Sequence, residues 1–181
     1  MLKALAFSLC MLPAVAFAQD EPATPEVIPT EPAMTMPRMA EIIAVLDPEA
    51  RFTRNGIEFS VDDVPVLVVM DVQADRMRAM VPIRSAEGMD ADELMRVMQA
   101  NFDSALDARY AIAGDRLWGV FIHPLSPLEK DQLISGIAQT VNIANSYGTL
   151  YSGGAAQFGA GDSEQLQRKL LERLLEKGQD I

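Results

Sequence analysis

The chain has 181 residues, 49% of them hydrophobic, with 26 acidic against 15 basic side chains and a formal charge of −11. That length suits one domain with tails, and the apolar share excludes wholesale disorder. The charge argues against nucleic acid or an anionic lipid surface as main partner, and one Cys with one His leaves no disulfide framework, Cys-built zinc site or His cluster.

Met1-Leu2-Lys3 gives a positive start, Ala4 to Ala18 is an apolar run broken by Pro13, and Ala16-Phe17-Ala18 precedes the polar Gln19-Asp20. These are the three parts of a secretory signal peptide over residues 1–18, and the run is too short to span a bilayer. Leu9 stands before Cys10 where a lipoprotein signal wants a small residue, so cleavage after Ala18 is the expected outcome. The exported chain then lacks Cys, lacks a membrane-spanning segment, and resides in the periplasm or outside the cell. Gln19 to Pro37 carries five prolines among acidic residues and is expected to be a disordered, extended leader.

Helical spacing begins at Met39, with Ile42, Ile43 and Leu46, and ends at Asp47-Pro48. After the Asn55-Gly56 turn signal the period becomes two. Ile57, Phe59 and Val61 alternate with polar residues, 64–72 is a continuous apolar strand, and Met77, Ala79, Val81 and Ile83 alternate again. Pro82 is expected at an edge or a strand end, because it donates no ladder hydrogen bond. Asp90 and Glu93 open a second helix over 90–102, with Leu94, Met95, Met98 and Phe102 as its apolar stripe. Strands at 109–113 and 117–122 flank the Gly114-Asp115 turn. Ser126-Pro127-Leu128-Glu129 announces a third helix, with the stripe Leu133, Ile134, Ile137, Val141 and Ala144 and a stop at Gly148.

The order α-β-β-β-α-β-β-α over 38–148 predicts an α+β two-layer sandwich, a five-stranded mainly antiparallel sheet with helices on one face. Residues 149–161 read as a Gly/Ala-rich linker. Residues 162–177 read as a C-terminal amphipathic helix with Leu166, Leu170, Leu171, Leu174 and Leu175 on one side.

VPVLVVMDVQADRMRAMVPI (64–83) and ELMRVMQANFDSALDARYAIAGDRLWGVFIHPLSPLEKDQL (93–133) resemble the YbjN-type family of bacterial sensory transduction regulators. ANFDSALDARYAI (100–112), with the hairpin after it, carries most of the resemblance, which extends over about 38–148. It implies a type III secretion chaperone-like fold, a small module that often dimerises, and related chaperones that hold extended protein segments without ATP. It implies no catalytic residues. The export signal and the 162–177 helix depart from the family's usual setting.

The residues themselves offer little chemistry. His123 precedes Pro124 with no nucleophile spaced to it, and reads as structural. Asp62-Asp63 and Asp90-Ala91-Asp92-Glu93 lack the ligand count of a calcium loop, and the second suits a helix N-terminus. Gly153-Gly154 and Gly159-x-Gly161 lack the context of a phosphate loop. Met34-x-Met36-x-x-Met39 has thioether spacing for Cu(I), but Met39 also fits a core stripe. Arg76 and Arg78 share one face of a strand and suit either an acidic peptide or local carboxylates. The Leu stripe at Leu166, Leu170 and Leu174 must be buried on its own domain, on a second copy, or on another protein.

The expectation is an exported, non-catalytic protein- or peptide-binding module, without cofactor or metal, whose partner is a protein segment or a second copy. Arg76, Arg78, Leu166, Leu170 and Leu174 are its candidate partner-binding residues. A self-associating envelope protein and a Met-based metal carrier are the alternatives.

Overall fold

The computed structural model describes residues 31–53, 56–103, 105–148 and 162–179. The expected signal peptide (1–18), the leader up to residue 30 and the linker (149–161) lie outside the described residues. The helices are α1 (Met36–Leu46), α2 (Ala91–Asp103), α3 (Lys130–Asn145) and α4 (Asp162–Gly178). The strands are β1 (Arg51–Thr53), β2 (Gly56–Val61), β3 (Val64–Asp71), β4 (Arg76–Ser85), β5 (Arg109–Ala113) and β6 (Arg116–Pro124).

The strands make one sheet in the order β1-β2-β3-β4-β6-β5, with every neighbouring pair antiparallel. The α+β class and the element order are those read from the sequence, with one strand more. β1 has three exposed residues and no alternation to mark it, and only its pairing to β2 makes it a strand. Asp62 and Asp63 both take positive φ (50° and 64°), as do Gly114 and Asp115 (56° each), so both hairpins close on two left-handed residues. The Asp62-Asp63 pair is thus a turn.

One sheet face carries Ile57, Phe59, Val61, Val66, Val68, Met77, Ala79, Val81 and Phe121, all buried. Against it pack Met39, Ile42, Ile43 and Leu46 of α1, and Leu133, Ile134, Ile137 and Val141 of α3. Gly136 lets α3 close on the sheet, since a Cβ there would lie 2.4 Å from the Phe121 ring. α4 packs on α3 and α1, with Leu170 and Leu174 in the same core. Among the described residues, no helix is long and apolar enough to cross a membrane.

Two boundaries differ most from the sequence reading. The leader was expected to reach residue 37, yet Met34 is 2% exposed in the core and its N–H bonds the Ser126 carbonyl (3.0 Å). Thr35 caps α1 and Pro37 sits in its first turn, where its missing N–H costs nothing. The third helix starts at Lys130, with Glu129 and Gln132 as its capping box. Ser126 does not cap it, because the Asp75 carboxylate takes both the Ser126 N–H (2.7 Å) and its hydroxyl (2.9 Å). Pro82 lies inside β4, but beyond the last β3–β4 pair (Leu67–Met80) and beside a register shift. Locally, β4 is an edge there.

The α2 stripe is the main correction. Val97 and Ala100 are the buried side chains, while Met95, Met98 and Phe102 are 61%, 63% and 69% exposed. α2 lies over the β5 end of the sheet, with Val97 and Ala100 in a small core with Tyr110, Leu117 and Ile143. Small side chains permit that approach; the large ones face outward.

Candidate binding face

The pleat that sends Met77, Ala79 and Val81 to the helices sends Arg76, Arg78, Met80 and Pro82 to the opposite face. Register extends this face across the sheet. Leu67, Met80 and Val120 form one row, and Val69, Arg78 and Ile122 the next. Pro82, Trp118 and Ala111 form a third. Among the described residues the helices all pack on the other side; on this face Ile122 is 54% exposed, Leu67, Val69, Met80 and Trp118 are half-buried, and Val120 is buried between its neighbours.

Charge on this face runs against that of the chain. Arg51, Arg76, Arg78, Arg109 and Arg116 border the apolar rows, with Glu58 and Asp71 on the strands and Asp47 and Glu49 lining the Arg51 end. Arg76 donates to the neighbouring Asp75 carbonyl (2.9 Å), and Arg116 lies over the Trp118 ring. Arg78 forms no ion pair among the described residues. Shallow cavities of about 440 and 450 Å³ share Arg78 and Ile122. A third, of about 620 Å³, runs from Trp118 and Pro82 to Arg51 and Glu58. An apolar surface with guanidinium groups around it can hold an extended chain that carries carboxylates.

The sheet edges are poorer docking sites. At β5 the Asn101 side chain takes the place of a neighbouring strand, accepting the Tyr110 N–H (2.7 Å) and donating to the Tyr110 carbonyl (3.2 Å). The other edge, β1, is three residues long. Short and capped edges resist strand addition.

The other sequence-derived candidates are placed as follows. Arg76 and Arg78 lie together on the open face. Leu170 and Leu174 lie in the chain's own core, which leaves them no surface for a partner while α4 is docked; the Leu166 side chain lies outside the described residues. Lys130 Nζ donates to the Gly178 carbonyl (2.6 Å) and Arg173 pairs with Asp62, fastening α4 to the fold. His123 is half-buried, with Nδ1 2.8 Å from the Pro124 carbonyl oxygen and its ring stacked on Phe121. Met34 and Met39 are buried in the core while Met36 is half-exposed, so the Cu(I) spacing is not gathered into one site. Among the described residues, no group of three or more His, Cys, Asp or Glu is gathered to hold a metal.

Sequence reasoning missed Leu67, Met80, Trp118 and Ile122 as one surface. Their strands were legible, but the register that aligns them was not.

No family model matches the chain, and no curated protein matches it. Among solved structures, the chain is similar to one in "Structure of the HopA1-SchA Chaperone-Effector Complex", with 11% identity and a TM-score of 0.44 over 60% of this chain and 95% of that one. The likeness is partial and fixes neither a family nor a partner.

Proposed function

We propose that this protein is an exported, non-catalytic, YbjN-like module that holds an extended, acid-bearing segment of another protein against its open sheet face. The observation that carries the reading is an apolar sheet face that no described helix covers, bordered by arginines on a chain of net charge −11. Export rests on the signal pattern at 1–18, and the family on the residues quoted above from 64–133. Five strand spacings make the face about 24 Å across, the reach of about seven extended residues.

Trp118 is the only tryptophan and lies on this face, so its fluorescence reports occupancy. A synthetic peptide of alternating Val and Glu is expected to bind and change that signal, and a Val/Gln peptide to bind more weakly. Arg76→Glu with Arg78→Glu is expected to lower the affinity about tenfold, as loss of close charge pairs does. Equal binding of the two peptides, or no binding of either, refutes the reading.

A second reading, self-association, is favoured by the exposed Met95, Met98 and Phe102 on α2. It replaces the C-terminal Leu stripe as the self-associating surface, since Leu170 and Leu174 are already covered.

A further inference from the structure

We infer that the hollow beside Trp118 is an anchor pocket, and that the open face selects acid-bearing segments in which one side chain is large and apolar, of Leu or Phe size. This deepens the reading of that face as a peptide site and rests on it.

The hollow comes from a step in side-chain size between paired strands. β5 sends Ala111 and Ala113 to the open face, opposite Trp118 and Arg116 of β6, and Gly114 follows at the turn. The small side chains leave a cavity of about 450 Å³, with Val120 buried in its lining and Trp118, Met80 and Ile122 around it. Sites for compact ligands have volumes of roughly 300–1,000 Å³. The indole is held in place: Nε1 donates to the Ala113 carbonyl (2.9 Å), and the Arg116 guanidinium lies 5.9 Å from the ring centroid. A wall that is already ordered costs an incoming side chain little further entropy.

Charge sets this hollow apart from its two neighbours on the face. The cavity that runs to Arg51 is lined by Asp47, Glu49 and Glu58, and the one beside Arg76 by Asp71. Each therefore sets carboxylates against an acidic segment. The Trp118 hollow has Arg78 as its one charged lining residue, and Arg78 forms no ion pair among the described residues. A large apolar side chain can thus fill the hollow while a neighbouring carboxylate of the same segment reaches Arg78. Indole and thioether walls also make favourable contacts with an aromatic ring. A few buried anchors of this kind carry most of the affinity of an interface.

The test titrates the full chain, by Trp118 fluorescence, with the Val/Glu peptide and with the same peptide carrying Phe in place of its central Val. The Phe peptide is expected to bind about tenfold tighter. Ala111→Leu fills the hollow from an exposed position and is expected to reduce that advantage to about twofold or less. Ala113→Leu is a second filling variant with the same expectation, and thermal melts check the fold of each. Equal binding of the two peptides by the native chain overturns the anchor pocket and leaves the peptide site standing. A Phe advantage that both filled variants retain does the same, since the anchor then sits elsewhere. Binding of neither peptide removes both readings.

Discussion

Gly136 lies in the interior of α3, where glycine costs about 1 kcal/mol relative to alanine. Its reason is across the interface: a Cβ would stand 2.4 Å from Phe121 Cδ1 and 2.5 Å from Cε1. Gly136→Ala is therefore expected to destabilise the fold by about 1–3 kcal/mol despite its better helix propensity. Thermal melts check this, and Phe121→Leu in the same chain should recover part of the loss. Asp75 carries a different dependence. The Ser126 N–H and then its hydroxyl hold the Asp75 carboxyl below the usual carboxylate range. A lowered folded-state pKa means stability that is present above the unfolded-state value, near pH 4, and is lost as pH falls through the lower folded value. Asp75→Asn should remove that part of the acid dependence, seen as a flatter denaturant midpoint below about pH 4. Nothing in the local sequence marked either residue, because each is defined by a partner 15 or 51 positions away.

At the scale of elements, periodicity identified the helices and misjudged one face. In α1 and α3 the expected stripes are the buried ones, since α3 crosses the middle of the sheet and α1 lies on its β2 side, each with large apolar side chains to meet. In α2 two faces competed. Leu94, Met95, Met98 and Phe102 are the larger, but Val97, Ala100 and Asn101 meet the β5 end, where Asn101 also closes the Tyr110 backbone. Helical spacing measures segregation of apolar residues and is blind to the shape of what lies opposite. The start of α3 was misread for a related reason: Ser126 has the chemistry of a cap, but Asp75 binds it first. For α4 the sequence left three destinations open, and Leu174, 2% exposed, lies in the intramolecular core. Leu174→Ala is expected to cost about 2–5 kcal/mol in a denaturant titration, while the exposed Glu172→Ala should stay within about 0.5 kcal/mol. Equal, small effects of the two would mean that α4 contributes little to the fold.

At the scale of the whole molecule, the open sheet face and the outer side of α2 respond oppositely to salt. The open sheet face carries Arg76 and Arg78 and attracts carboxylates, so its affinity for the Val/Glu peptide should fall as salt rises. Pairing through α2 brings together two copies that each carry −11, so repulsion opposes it and screening should strengthen it. Exposed apolar patches of several hundred Å² are uncommon on monomers, which makes Met95, Met98 and Phe102 the residues to test. Sedimentation equilibrium of the native chain is expected to show dimers that become more populated with added salt, and Met98→Glu with Phe102→Glu should leave monomers at every concentration. The double variant should also lose any concentration dependence of its melting midpoint, as mass action requires. Because these substitutions lie on the helix layer and Trp118 on the opposite face, peptide binding should be unaffected by them. A native chain that stays monomeric in high salt ends the self-association reading and leaves the open face as the surface through which this protein acts.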